Sequence, residues 1–186
     1  SVRRKRQMCI RDSVGSGLAG EQIHYVLEET PQGVAKALNL ARPHNENCRL
    51  LVYFSDNITT IELSDHVERF TKHESNPGCL LLCRDEERPQ AFGVAKFDDT
   101  GKIIDIVEKP QNPPSNVAIG GIYLYDEQFW SLVDKCQIEY GDKVSITDVN
   151  RKYVEKEQAE LLNIGKETWV DCGTPESLLC LLYTSP

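Results

Sequence analysis

The sequence has no apolar run that approaches the roughly 18 to 20 residues needed to cross a bilayer. It also has no segment with the charged start, apolar middle and small-residue cleavage site of a secretory signal. The seven cysteines show neither CxxC spacing nor the cysteine–histidine spacing of a zinc finger. An odd number of cysteines without a signal favours reduced thiols. We therefore expect a cytoplasmic protein without a disulfide scaffold and without a membrane partner.

Basic residues are scarce outside the first 13 positions. That head holds five arginines and lysines against one aspartate, so the body of the chain is more acidic than the net charge of −8 indicates. An acidic body argues against nucleic-acid binding, because a phosphate backbone requires a basic face. The alternative for the head alone is a nucleic-acid arm or a localisation patch, and nothing downstream supports it.

The chain also lacks internal repeats, low-complexity segments and any Ser-His-Asp or Cys-His arrangement that would indicate covalent catalysis. Its first half instead alternates strand and helix patterns. A β-rich run at Gln22–Glu28 precedes an amphipathic helix that opens at Gly33. The continuously apolar runs Leu50–Phe54 and Cys79–Cys83 are typical of strands buried on both faces, and a helix at Ser64–His73 lies between them. This order predicts parallel crossovers in one α/β domain.

The second half predicts a hairpin, two helices and further strands. The hairpin turns at Asp98-Asp99-Thr100-Gly101, and Thr147 is a plausible cap for the second helix. The predicted elements are the strands Phe92–Phe97, Ile103–Val107 and Ile119–Tyr125, the helices Glu127–Lys135 and Thr147–Glu157, a final strand pair at Ala159–Ile164 and Trp169–Val170, and a helix that starts at Gly173–Glu176.

Two aspartates stand where strands end. Asp56 follows Leu50–Phe54, and Asp171 follows Trp169-Val170. Ligands of open α/β sheets bind beyond the carboxyl ends of the strands, and Mg²⁺ takes one or two carboxylates together with phosphate oxygens. Spacing alone favours the simpler alternative, in which each aspartate merely ends a strand or caps a turn.

Glycine, glutamate and lysine supply further candidates. Gly33 precedes a helix start, where a backbone can approach a phosphate or a flat ligand. Glu108 and Lys109 end a predicted strand; a glutamate can accept sugar hydroxyl protons, and a lysine can neutralise a phosphate. An exposed ion pair at a hairpin end is the alternative for these two residues.

Seven short motifs, in this order and spacing, resemble those of the sugar-1-phosphate nucleotidyltransferases, with the thymidylyl and uridylyl members the most similar. The resemblance spans about residues 14–179. The motifs are Pro31-Gln32-Gly33-Val34-Ala35-Lys36-Ala37, Ser55-Asp56-Asn57, Phe92-Gly93-Val94, Val107-Glu108-Lys109-Pro110, Gly120-Gly121-Ile122-Tyr123, Ile146-Thr147-Asp148-Val149-Asn150 and Trp169-Val170-Asp171-Cys172-Gly173-Thr174.

The resemblance implies an α/β, Rossmann-like nucleotidyltransferase fold with a mixed, mostly parallel central sheet. It implies transfer of a nucleotidyl group from dTTP or UTP to a sugar 1-phosphate such as glucose 1-phosphate, with Mg²⁺ as cofactor. Positioning and charge neutralisation would drive this reaction without a covalent intermediate. The nucleoside triphosphate and the sugar 1-phosphate are the implied partners, and a homo-oligomeric parent protein is left open.

The resemblance also assigns roles to individual residues. Asp56 and Asp171 match the Mg²⁺ ligands, and together with Lys109 they form the implied catalytic set. The implied nucleotide-binding residues are Glu28 and Gly33. The implied sugar-phosphate-binding residues are Gly93, Glu108, Lys109, Gly121 and Tyr123.

Several positions depart from the family pattern. No first strand with a Gly-rich, arginine-containing loop and no Pro-Lys pair precedes Val14, so we expect a partial domain that is inactive by itself. Ser55 replaces a glycine, and Glu28 replaces a glutamine that reads the base. Lys143 and Ser145 stand where thymidylyltransferases often carry glutamates.

The two ends differ from the body of the chain. Residues 1–13 and 180–186 resemble peptides translated from sequencing-adapter DNA, so we expect a non-native head, a partial nucleotidyltransferase domain at 14–179 and a non-native tail. Frayed termini are the alternative.

Two other function classes compete with the enzyme. A regulatory or scaffold module on the same fold has no need of the metal and phosphate residues. A nucleotide-sugar-dependent glycosyltransferase usually shows an Asp-x-Asp pair, whereas position 58 is Ile.

Overall fold

The computed structural model describes residues 23–29, 33–72, 77–175 and 179. Within these ranges, no helix has the length and apolar character required to cross a membrane. The elements in chain order are α1 (Val34–Ala41), β1 (Leu50–Tyr53), β2 (Asn57–Thr59), α2 (Ser64–Lys72), β3 (Cys79–Asp85), β4 (Gly93–Phe97), β5 (Ile103–Glu108), β6 (Val117–Tyr125), α3 (Phe129–Tyr140), α4 (Ile146–Glu155), β7 (Ala159–Asn163) and β8 (Trp169–Asp171).

Strand β6 is the centre of the larger sheet. The strand order of this sheet is β5-β4-β6-β3-β7, and β1 also pairs with β6. Tyr125 of β6 is opposite both Leu50 and Cys79, so β1 and β3 flank β6 on its two edges. Strand β4 pairs with the beginning of β6 and β1 with its end. A separate two-stranded ribbon is formed by β2 and β8.

The α/β class and the mixed, mostly parallel sheet are confirmed for the described strands: β1, β3, β4 and β7 run in one direction, and β5 and β6 run in the other. Only β3 and β7 pair in parallel, and the other pairings in this sheet are antiparallel. Strands β1 and β3 do run in the same direction, as their strand–helix–strand pattern predicts. Strand β6 lies between them and runs the opposite way, so each bonded neighbour is antiparallel.

The apolar runs are continuous because both faces of the larger sheet are covered. Along β3, Cys79, Leu81 and Cys83 face the main core, whereas Leu80 faces α2 and packs near Phe70. Successive side chains of a strand point to opposite faces, so a strand buried on both faces needs no polar alternation. Helices α3 and α4 supply much of the main core.

Local details differ from the sequence predictions at several places. Residues 23–28 form no strand, since no described strand pairs with them. Strands β7 and β8 belong to different sheets and do not pair with each other. The cap of α4 is Ser145, whose hydroxyl accepts from the Asp148 amide at 3.2 Å while Asp148 accepts from the Ser145 amide at 2.8 Å. This reciprocal pair is a capping box, so α4 begins one residue earlier than predicted.

The helix predicted to start at Gly173–Glu176 lies largely outside the described residues, although Pro175 is helical.

The central position of β3 gives a test of this packing. Leu81 is fully buried, and truncating it to alanine leaves a cavity in a close-packed core. We expect Leu81→Ala to lower the free energy of unfolding by about 3 kcal/mol in urea titrations. Ile104→Ala, at a position that is 46% exposed, should change it by less than about 0.5 kcal/mol. Equal losses in the two variants would contradict the described core.

Candidate active site

A cleft of about 390 Å³ lies between the larger sheet, the β2–β8 ribbon and the beginning of α4. Seven of the nine residues to which the family resemblance assigns a role line this cleft: Gly33, Gly93, Glu108, Lys109, Gly121, Tyr123 and Asp171. These residues are far apart in the sequence, so the fold alone brings them together.

Glu108 and Thr147 form one wall of the cleft. The Thr147 hydroxyl donates to Glu108 Oε2 at 2.6 Å, and Thr147 is buried. A Cβ at Gly93 would lie 3.4 Å from the same Glu108 oxygen and 3.8 Å from the Thr147 hydroxyl, which are ordinary van der Waals contacts, so Gly93 lies directly beside the pair. Thr147 was predicted as a helix cap, but its hydroxyl instead binds Glu108 Oε2. The other carboxylate oxygen of Glu108, Oε1, is not used by this bond.

Lys109 has an unusual backbone for a residue with a side chain. Its φ is +44°, in the left-handed region that non-glycine residues seldom occupy. Its amide donates to the Phe92 carbonyl at 2.9 Å, which holds this conformation at the end of β5. The ammonium lies 3.9 Å from Glu108 Oε1 and is largely exposed, so an incoming anion can reach it.

Asp56 and Asp171 converge beside Gly173. A Cβ at Gly173 would lie 2.9 Å from Asp171 Oδ1 and 3.3 Å from Asp56 Oδ2, so both carboxylates face the space that this glycine leaves open. The main chain reinforces this arrangement, because the Cys172 amide donates to the Asp56 carbonyl at 2.7 Å. Two hard oxygen donors at a small open space fit Mg²⁺, which completes its coordination with phosphate and water.

The side chain of Asn57 connects the ribbon to the larger sheet. Its Oδ1 accepts from the Gly121 amide at 2.9 Å and from Trp169 Nε1 at 2.7 Å. Its Nδ2 donates to Asp56 Oδ1 at 2.9 Å. Asn57 is buried, and three hydrogen bonds use most of its capacity. The sequence motif contains Asn57, but sequence reasoning gave it no role of its own; a polar residue directly after the strand-end aspartate was the available signal.

Gly121 and Tyr123 line the cleft from β6. A Cβ at Gly121 would lie 2.7 Å from the Phe54 ring and 2.8 Å from the Asn57 amide nitrogen, so only glycine fits. Burial, and to a smaller extent the nearby charge of Glu108, raise the pKa of Tyr123. Burial thus favours the neutral form of the Tyr123 hydroxyl.

The two predicted nucleotide-binding residues have different outcomes. Gly33 lines the cleft and caps α1 with φ of +103°, a conformation in which a side chain is strained. Glu28 is half-buried and is not among the lining residues. The structure therefore brings Gly33 to the site but not Glu28.

Comparison with known proteins identifies the family. The profile of the nucleotidyl transferase family matches residues 3–184, nearly the whole chain. The chain belongs to the nucleotidyl transferase family.

Curated relatives of this nucleotidyl transferase chain include one bacterial protein and one archaeal protein. A glucose-1-phosphate thymidylyltransferase of Xanthomonas campestris is 31% identical over 92% of this chain and 59% of its own length. The low-salt glycan biosynthesis nucleotidyltransferase Agl11 of Haloferax volcanii is 29% identical over 91% of this chain and 47% of its own. The chain thus spans about half the length of the curated relatives that it matches.

Solved structures share the fold. A Bacillus anthracis protein described as a glucose-1-phosphate thymidylyltransferase, solved in complex with sucrose, superposes with a TM-score of 0.83 at 32% identity. The match covers 92% of this chain and 69% of that one. A UDP-glucose pyrophosphorylase superposes with a TM-score of 0.70 at 18% identity, which shows the fold alone. The expected Rossmann-like nucleotidyltransferase fold is therefore confirmed.

The contacts of Asn57 in this nucleotidyl transferase lead to a prediction about stability. Asn57→Leu keeps a similar volume but leaves the Gly121 amide and the Trp169 indole without their acceptor. We expect the free energy of unfolding to fall by about 3 kcal/mol, because buried donors are then unsatisfied. Asn163→Leu is the control, since the exposed Asn163 accepts a single bond from the Gly165 amide. Its loss should be below about 1 kcal/mol in the same urea titration; a similar loss for both would contradict the role of Asn57.

Proposed function

We propose that the protein to which this chain belongs transfers a nucleotidyl group from dTTP or UTP to glucose 1-phosphate, giving a nucleotide sugar and pyrophosphate. Relatives that carry the name glucose-1-phosphate thymidylyltransferase support this substrate pair. The reaction would take place in the cytoplasm.

One observation carries the proposal: a single cleft brings a wall with an oriented carboxylate and a lysine close to a pair of convergent carboxylates. Glu108, Lys109 and Thr147 form the first, and Asp171 lines the same cleft with Asp56 beside it. A sugar phosphate has hydroxyls at one end and a phosphate at the other. The arrangement therefore offers a complement to both ends of that substrate.

Glu108 would hold the sugar. Because Thr147 occupies Oε2, the carboxylate is oriented, and Oε1 is available to accept a proton from a sugar hydroxyl. Gly121 leaves room for the sugar ring, since a side chain there would collide with Phe54 and Asn57. Gly93 lines the same cleft. Lys109 would neutralise the phosphate of the bound sugar.

A phosphate oxygen of the sugar 1-phosphate would attack the α-phosphorus of the nucleotide in line. A new phosphorus–oxygen bond forms as the bond to the bridging oxygen breaks, and that oxygen leaves with its electron pair in pyrophosphate. The chain's own contribution is to align the attacking group and to reduce charge repulsion. Asp56 and Asp171 would hold Mg²⁺, which supplies positive charge against the phosphate oxygens when bound.

We expect the 186-residue chain alone to bind the sugar phosphate weakly and to release no pyrophosphate. The Gly-rich loop with its arginine and the Pro-Lys pair, which the family resemblance places around the triphosphate, are not found in the residues before Val14. Turnover by this chain with dTTP or UTP and Mg²⁺ in a coupled pyrophosphate assay would contradict that part of the proposal.

Titration of the ¹⁵N-labelled chain with glucose 1-phosphate tests the binding function. We expect saturable shifts of the Gly93 and Gly121 amides, and about tenfold weaker binding in Glu108→Gln, which loses the charged acceptor. Glucose 6-phosphate and inorganic phosphate serve as competing probes. Equal binding of all three compounds, or no binding of glucose 1-phosphate, would contradict the proposal.

The Thr147–Glu108 bond can be tested separately. Thr147→Val is isosteric but cannot donate, so Glu108 loses its orientation and the Kd for glucose 1-phosphate should rise about tenfold. Thr147→Ser restores the hydroxyl and should stay within about twofold of the original Kd. Calorimetric titration measures both. If the valine and serine variants bind equally, the hydroxyl has no part in sugar binding.

A further inference from the structure

The β2–β8 ribbon is small, although it carries Asp171. Strand β8 has three residues, and β2 is its only partner among the described strands. An isolated two-stranded ribbon is only marginally stable. Other contacts must therefore hold β8 against the larger sheet.

Trp169 of β8 supplies the packing part of that attachment. It is buried, its ring centroid lies 5.3 Å from that of Phe92, and a Cβ at Gly120 would lie 3.2 Å from the indole. Trp169 and Asp171 are two residues apart, so they share one face of β8. The same three-residue strand thus carries both the buried indole and the Asp171 carboxylate.

Arg84 of β3 contacts Trp169 in two ways. Its guanidinium lies over the indole, 4.9 Å from the ring centroid, and its Nη1 donates to the Trp169 carbonyl at 2.6 Å. Glu86 accepts from Nε at 3.1 Å and also from Nη2, which fixes the plane of the guanidinium. Arg84 is not among the residues that line the cleft, whereas Trp169, which it contacts, is.

We propose that Arg84 is a positioning residue that anchors the β2–β8 ribbon to the larger sheet and thereby sets the place of Asp171 in the cleft. The consequence for metal binding rests on the proposed function, whereas the anchoring of the ribbon does not. A planar cation that stacks on the ring and binds the carbonyl at the same time is suited to this role, since a lysine cannot do both.

The chain contains a matched control. Arg42 lies over the ring of Trp130 at 5.5 Å and binds Asp134 through two nitrogens, at 2.7 and 3.1 Å. The Arg42 and Arg84 side chains have the same exposed fraction, 26%. Arg42 is absent from the cleft lining. Arg84→Met and Arg42→Met thus each remove one arginine–tryptophan stack. The first stack involves Trp169 of β8, and the second involves Trp130 of α3.

The first measurement is amide hydrogen exchange of the whole 186-residue chain. The Cys172 amide donates to the Asp56 carbonyl and the Thr60 amide to the Thr168 carbonyl, so both report opening of the ribbon. We expect exchange at these two amides to accelerate about tenfold in Arg84→Met and to stay unchanged in Arg42→Met. Unchanged exchange in Arg84→Met overturns the proposal. If Arg84→Met does not fold, Arg84→Lys, which keeps the charge and most of the aliphatic stem, is measured in its place. We expect exchange at the same two amides to accelerate in that variant as well.

The second measurement uses Mn²⁺ alone as a paramagnetic probe of the carboxylate pair. In the unchanged chain we expect selective broadening of the Cys172 and Gly173 amides, with about tenfold weaker affinity in Arg84→Met and no change in Arg42→Met. Faster exchange with equal Mn²⁺ affinity in Arg84→Met would overturn the positioning of Asp171. Absence of broadening in the unchanged chain would instead contradict the proposed metal site and leave the exchange result to decide the anchoring.

Discussion

The cleft depends on one buried amide. Strands β2 and β8 form a ribbon that is not part of the larger sheet, and the Asn57 side chain joins the two by bonding to Gly121 on β6 and to Trp169 on β8. The same amide group orients Asp56. Because a buried polar group must satisfy its hydrogen bonds, this geometry permits little variation. Gly121 is constrained in turn, since any side chain there would collide with Asn57.

The charge of the site is unusual for one proposed to hold anions. The chain has a net charge of −8, and the lining includes Glu108 and Asp171 against Lys109 and Lys143. Carboxylates repel phosphates unless a hydroxyl or a cation lies between them. Glu108 fits the sugar hydroxyls, and the Asp56–Asp171 pair fits a divalent ion. The proposed function therefore gives each carboxylate a partner that reduces this repulsion.

Sequence patterns predicted those features of the fold that depend on neighbouring residues. The apolar runs of β1 and β3, the β4–β5 hairpin and the residues of the cleft followed from local pattern and family motifs. The insertion of β6 between β1 and β3 did not, because strand order is decided by contacts between distant segments. The role of Asn57 was missed for the same reason, since its bond to Trp169 spans 112 positions.

The beginning of α4 shows how a helix cap and a binding wall divide their residues. Ser145 and Asp148 bind each other in the capping box, so the Ser145 hydroxyl is already committed to the helix. Thr147, two residues after Ser145, takes no part in this capping box, and its hydroxyl orients Glu108. Of the two lining positions where the family resemblance expects glutamates, Ser145 is neutral and serves the cap. Lys143, at the other position, brings a positive charge where the family resemblance expects a negative one.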